Sequence, residues 1–140
     1  NAPVRSIAQI EIEAPVKKVW EVLTRIDNWP QWQKPVKEAR LMGELKEGVE
    51  FRWKAAGLSF VSVVHTIVPE NEFGWTGKTL GTHAVHNWTF VEKERTTVVL
   101  VEESLQGFLP AILKKYFQKN LDQGMKNSLQ ELKLASETGR

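Results

Sequence analysis

Residues 107–135 read GFLPAILKKYFQKNLDQGMKNSLQELKLA. Leu109, Leu113, Phe117, Leu121, Met125, Leu129 and Leu132 recur every three or four residues, and Ile112, Tyr116 and Ser128 widen the stripe. Apolar residues at that spacing share one face of a helix. The pattern predicts an amphipathic helix of about 25 residues, roughly 38 Å long. Lys114, Lys115, Lys119 and Lys126 fall mostly off the stripe. Diluted by Asp122, Glu131 and Glu137, they read as a solvated face in preference to a site for acidic lipid headgroups or a partner. Gly124 is the odd member, because glycine costs about 1 kcal/mol against alanine inside a helix. Close approach to a sheet, or room for a ligand, would offset that cost.

Such a helix needs a wide apolar surface to lie on, and the upstream chain supplies one. Ala8, Ile10 and Ile12 alternate with Gln9, Glu11 and Glu13, the period of a half-buried strand. Pro15 suits a first helical position, and Val16, Val19, Trp20 and Leu23 follow at helical spacing, with an end expected near Asp27-Asn28. The stretch 27–32 reads as a turn or short helix anchored by two Trp, closed by Pro35. Strands are predicted at 36–42, 49–55, 58–68, 72–79, 83–91 and 96–105. The links between them, among them Ala56-Gly57 and Leu80-Gly81, are short, which implies antiparallel hairpins. The expected fold is α+β: a curved antiparallel sheet of about seven strands wrapped round the last helix, as one domain over 1–140 with its core at about 7–135.

Composition excludes several classes. A net charge of +2 over 140 residues gives no case for a nucleic-acid partner. The absence of Cys removes disulfides, thiolate nucleophiles and cysteine metal sites together. No apolar run approaches the roughly 18 residues of a membrane span, and no secretory signal is visible, so a cytoplasmic location is expected. The start Asn1-Ala2-Pro3, without Met, reads as processed, truncated or carrying a tag remnant.

Several local patterns, taken in order, resemble the helix-grip superfamily that includes START lipid-transfer domains, pollen-allergen-type proteins and polyketide cyclases. The similarity is nearest to bacterial proteins of the polyketide cyclase/dehydrase kind. Its carriers are Ile10-Glu11-Ile12-Glu13-Ala14-Pro15-Val16 with Val19-Trp20, then Trp29-Pro30-Gln31-Trp32 and Trp75-Thr76-Gly77. His86-Asn87-Trp88-Thr89-Phe90, Glu102-Glu103-Ser104-Leu105-Gln106-Gly107 and Leu129-Gln130-Glu131-Leu132-Lys133 complete the set, which spans about residues 7 to 135. The resemblance implies a cavity between sheet and long helix. Fold alone names no reaction.

Strand alternation puts His86, Trp88 and Phe90 on one face, and a hairpin at 92–95 brings Val99, Val101 and Glu103 alongside. Setting Phe90 opposite Val99 sets His86 opposite Glu103; a slip of one residue would offer Glu102 instead. Glu103 is preferred because Val99, Val101 and Leu105 share its face and because the family pattern suits it. Val49, Phe51 and Trp53 share another face, which the Ala56-Gly57 turn pairs with Val64, Ser62 and Phe60. Ser62 is small and polar, as a lining that leaves space requires. Leu113, Phe117 and Leu121 would cover the space from the helix. Trp29, Trp32 and Trp75 either line an entrance or pin loops; pinning is preferred, and Trp75 is kept among the cavity residues. The same residues would equally make a solid core, which composition alone favours; the resemblance favours a cavity.

Other motifs fail. Gly77-Lys78-Thr79 resembles the end of a phosphate loop, but position 72 is Glu72 where that motif needs Gly. His83 and His86 fall on opposite strand faces, and His65 has no carboxylate partner in sequence, so no metal site is expected. No nucleophile elbow exists, and no cofactor is implied. Three functions remain. One is a carrier or sensor for a small apolar or amphipathic molecule of polyketide, lipid, quinone or aromatic type, oriented by His86 and Glu103. The second is a cofactor-independent cyclase or dehydratase that uses the same pair as acid and base. The third is a protein-interaction module. His86 and Glu103 as a merely structural buried pair is favoured over catalysis. Nothing in the sequence singles out a peripheral membrane contact.

Overall fold

The computed structural model describes residues 3–138. A first strand, β1 (Val4–Ile12), leads into helix α1 (Val16–Thr24), one 3-10 turn (Ile26–Asn28) and a short helix α2 (Trp29–Trp32). Six strands follow: β2 (Val36–Leu41), β3 (Glu50–Ala55), β4 (Leu58–Val68), β5 (Glu72–Thr79), β6 (Thr82–Glu92) and β7 (Thr97–Gln106). Helices α3 (Phe108–Ile112) and α4 (Lys114–Glu137) come last.

The seven strands make one antiparallel sheet in the order β1-β7-β6-β5-β4-β3-β2. Strands β2 to β7 form a meander, and β1 returns beside β7, which leaves β1 and β2 at the edges. The Ala56-Gly57 turn holds both residues at positive φ, 52° and 78°, as a two-residue hairpin with matching twist requires. It sets Trp53 opposite Phe60 and Phe51 opposite Ser62, as the alternation predicts. Strand β4 departs from plain alternation. Its register with β5 shifts between Val64 and Thr66, and the extra residue, His65, is exposed. Val64 and Ile67, three apart, therefore both oppose core residues, Trp75 and Phe73.

Two helix boundaries differ from the expectation. Helix α1 stops at Thr24 rather than near Asp27-Asn28. Arg25 leaves the helical region (φ −82°, ψ 76°), and the Thr24 hydroxyl donates back to the Trp20 carbonyl at 2.8 Å. The Trp29 indole N–H donates to the Leu23 carbonyl at 2.9 Å, which satisfies one of the carbonyls orphaned at the helix end. The last helix has about the expected length, 24 residues, but it starts at Lys114, because the stripe that begins at Leu109 breaks at Leu113 (φ −106°, ψ 46°) between α3 and α4. Pro110 has no N–H to give and falls in the first turns of α3, where that lack costs little. Helix α3 is also tied to the β5–β6 turn: the Leu109 N–H donates to the Gly81 carbonyl at 3.1 Å. Gly107, at φ 119°, passes that carbonyl so closely that a Cβ would meet its oxygen at 2.7 Å. Helix α3 thus takes its direction from the turn, and α4 takes its direction from the core.

Helix α4 buries Leu121, Met125, Leu129, Leu132 and Ser136 against the sheet, chiefly against β1. The rest of the inner face divides. Toward α1 the core is solid: Trp20 meets Phe73 and Phe90 edge-on at 5.8 and 5.4 Å, and Trp29 meets Phe51 edge-on at 5.4 Å. Toward the β5–β6 turn it is hollow. No helix among the described residues is long and apolar enough to cross a membrane.

Gly107→Ala combines a left-handed backbone with a collision. It is expected to lower unfolding free energy in urea by about 1–3 kcal/mol. Gly57→Ala, also at positive φ but with open space around it, is expected to cost less. Equal losses would show that close packing of α3 on the turn contributes nothing.

Candidate functional site

The hollow end is a cavity of about 300 Å³ between the inner face of the sheet and the middle of α4, from Asn120 to Glu131. Its floor is kept low by the smallest residues available. Gly77 on β5 and Ala84 on β6 are cross-strand partners, and both line it. One flank is a stacked aromatic pair, Trp53 over Phe60, with centroids 4.3 Å apart and 17° between planes. Trp75 and Trp88 stand in the back wall with Val101 beside them. From α4 come Leu121, Gly124, Met125 and Ser128. Gly124 has an ordinary helical backbone, and a Cβ built on it would meet nothing within 4 Å. Of the two accounts of this glycine that the sequence leaves open, the structure removes close approach and keeps space.

The polar feature of the back wall is His86 with Glu103. Strands β6 and β7 pair them directly, and His86 Nε2 lies 3.1 Å from Glu103 Oε2. Each side chain is 14% exposed, and both line the cavity. Trp75 stacks on the imidazole at 4.7 Å and 20°, which fixes the plane of the ring. Burial disfavours charge on both groups. It pushes the His86 imidazole down to about 3 and the Glu103 carboxyl up to about 8. Near neutral pH the pair is therefore uncharged, with the Glu103 O–H donating to His86 Nε2 and the remaining imidazole proton on Nδ1. The buried indole N–H groups of Trp75 and Trp88 have no acceptor among the described residues.

Eight residues expected at a cavity line this one: Trp53, Phe60, Trp75, His86, Trp88, Val101, Glu103 and Leu121. Six others lie elsewhere. Phe51, Val64 and Phe90 are buried in the solid half of the core. Ser62 is also fully buried, and its hydroxyl accepts from the Trp53 indole N–H at 3.0 Å, so it positions the tryptophan rather than leaving room. Leu113 is exposed at the helix break, and Phe117 is half-buried, edge-on to Tyr116 at 5.7 Å. The helical side of the site sits one to two turns further along α4 than expected. Gly124 and Ser128, small residues four apart on the inner stripe, are the signal that places it there. Trp29 both pins its loop, through the bond to Leu23, and lines the cavity. His83 does not share the site with His86, and among the described residues no three His, Asp or Glu side chains converge to hold a metal.

The fold has many solved counterparts. A hypothetical protein from Helicobacter pylori is 18% identical, with a TM-score of 0.84 over 97% of this chain and 89% of that one. A START superfamily protein from Mycobacterium smegmatis is 14% identical, with a TM-score of 0.80 over 97% and 99%. The Zhui aromatase/cyclase of a Streptomyces species is 13% identical, with a TM-score of 0.84 over 95% and 93%. At these identities the likeness is one of fold, the helix-grip arrangement of curved sheet and long helix. No curated protein sequence matches the chain. A family model does, over residues 4–137, and the chain belongs to the polyketide cyclase/dehydrase and lipid transport family.

Proposed function

We propose that this protein binds a small, uncharged, ring-bearing molecule with a carbonyl or hydroxyl group, held in the cavity between sheet and α4. The observation that carries this reading is Gly124. Alanine at that helical position would gain about 1 kcal/mol and collide with nothing, so the fold does not need the glycine. The cavity it borders, about 300 Å³, presents Trp53, Phe60, Trp75, Trp88, Val101 and Leu121, apolar surface that a bound molecule would cover. An engineered void of roughly 150 Å³ accepts benzene, so twice the volume suits two fused rings or a short acyl chain.

His86 and Glu103 set the polarity of the ligand. As a net-neutral pair they offer a hydrogen bond without a charge, which favours a ketone, quinone or phenol over a carboxylate.

The pair also supports a second reading, in which the cavity is a cofactor-free active site. Glu103 can give its O–H proton to a departing hydroxyl, which frees His86 Nε2 to take the proton alpha to a carbonyl. The elements of water then leave together, and the two residues exchange their proton to reset.

Three outcomes test these readings. 1,4-Naphthoquinone is expected to quench the cavity tryptophans saturably. Gly124→Ala should raise the melting temperature by roughly 4 °C and weaken that binding. Gly124→Leu should abolish it while melting no lower than the parent. Binding undiminished by Gly124→Leu would overturn the cavity reading. Glu103→Gln separates carrier from enzyme. On a β-hydroxyketone substrate it should cut turnover by about 10²–10⁴ if the pair is catalytic, and it should leave a carrier's affinity within about tenfold.

The pair also leaves a signature in stability against pH. As pH falls from 6.5 toward 3, the unfolded chain takes up a proton that folded His86 refuses, and stability is lost. As pH rises from 4.5 toward 8, the unfolded chain sheds a proton that folded Glu103 keeps, and stability is lost again. Between 4.5 and 6.5 the two slopes cancel. The unfolding free energy of the parent minus that of His86→Leu/Glu103→Leu should therefore be flat across that window. It should fall by about 1.4 kcal/mol per pH unit from 6.5 toward 8. A flat or rising difference above pH 6.5 would show that Glu103 is ionised in the fold.

A further inference from the structure

We propose that the α3–α4 junction is a docking surface for an anionic lipid bilayer. Five large apolar side chains are exposed there: Phe108 (70%), Ile112 (61%), Leu113 (46%) and Tyr116 (65%) on the junction, and Leu80 (75%) at the tip of the β5–β6 turn. They form one region, because the Gly81 carbonyl next to Leu80 holds the Leu109 N–H of α3. Phe108 and Ile112, four apart, share a face of α3, and every residue from Ala111 to Tyr116 is exposed. The helix break at Leu113 turns this apolar material outward; an unbroken helix would have laid Leu109 and Leu113 on the inner stripe.

The charge around the patch names its occupant. Lys114, Lys115 and Lys119 flank Tyr116, and Lys78 lies two residues from Leu80. None of the four makes an ion pair among the described residues. From Ser104 to Leu121 the chain carries no carboxylate. Protein–protein interfaces are depleted in lysine. A short amphipathic element with exposed Phe, Ile, Leu and Tyr and a lysine rim is the composition of a helix that lies in the headgroup layer of an anionic membrane. The lysines that sequence alone assigned to a solvated face gain this role from the exposed apolar residues beside them. The proposal does not depend on what the cavity holds.

The test is flotation of the full chain with two kinds of vesicle, pure phosphatidylcholine and equal parts phosphatidylcholine and phosphatidylglycerol. Binding is expected to the second and not the first, and it should decline with added salt. Each lysine near an anionic surface is worth roughly a factor of five, so Lys114→Gln/Lys115→Gln/Lys119→Gln should weaken partitioning about a hundredfold. Phe108→Ser/Ile112→Ser/Tyr116→Ser, all at exposed positions, should keep the parent melting temperature and lose vesicle binding. Failure of the parent to float with either vesicle overturns the proposal. So does vesicle binding that survives the apolar substitutions, which would reduce the contact to charge alone. A dimer in solution that the apolar substitutions dissolve, without vesicle binding, would assign the surface to a second copy of this chain. Because naphthoquinone binding is measured without vesicles, either reading can fail while the other stands.

Discussion

The inner face of the sheet is wider than one helical stripe can cover, and the rest of the structure follows from that mismatch. Helix α4 satisfies the β1 side with Leu121, Met125, Leu129 and Leu132. Helix α1 and the Trp29 loop satisfy one end. The remaining inner surface, toward the β5–β6 turn, is spanned by α4 without being filled. Large side chains could still have closed the gap, as Phe51, Phe73 and Phe90 do at the other end. The cross-strand pair Gly77 and Ala84, with Gly124 facing them from α4, keeps it open.

That geometry also explains why a polar pair is tolerated on the back wall. A lone carboxyl or imidazole there would be costly, since buried polar groups need partners and buried charges need more. Opposed at 3.1 Å, His86 and Glu103 satisfy one another without a net charge, and Trp75 holds the imidazole in plane. Register is fixed by the apolar neighbours of the pair. A slip of one residue between β6 and β7 would set Glu102 opposite His86 in place of Glu103, but it would take Glu102 from Arg5 on the outer side and turn Val99 and Val101 out of the core.

Alternation and turn chemistry carried much of this in the sequence. The boundaries of β4 and β5, the Ala56-Gly57 hairpin with its pairings and the facing of His86 and Glu103 all follow from a period of two and a known turn. The features that were not legible break a period. The bulge at His65 inserts one residue into an otherwise regular strand, and nothing local marks it. The break at Leu113 lies inside a run whose apolar spacing continues unperturbed. Pro110 was the available warning, yet the direction of α3 is set by Gly81, which is distant in sequence and adjacent only once the sheet has formed. Misplacing the start of the helix displaced the expected cavity toward Leu113 and Phe117. Ser62 misled for another reason: a small polar residue on an apolar face can leave space or support a neighbour, and only the position of the Trp53 indole decides between them.

The division into a solid and a hollow end has a consequence for dynamics. Stability concentrates where Trp20, Trp29, Phe51, Phe73 and Phe90 interlock, far from the β5–β6 turn. The hollow end, with fewer buried contacts, is where local opening costs least. It is also where the chain exposes Leu80, Phe108, Ile112 and Tyr116. Asn120 and Gly124, both exposed and both lining the cavity, lie about one and two helical turns beyond Tyr116. Only the first turn of α4 is exposed on all sides; from Gln118, whose amide donates to the Arg5 carbonyl at 2.6 Å, the helix is tied to β1, and Leu121 and Met125 are buried. On the readings proposed above, docking at the junction therefore engages the free first turn, while the stretch of α4 that lines the cavity, Asn120 to Glu131, is held by its own packing.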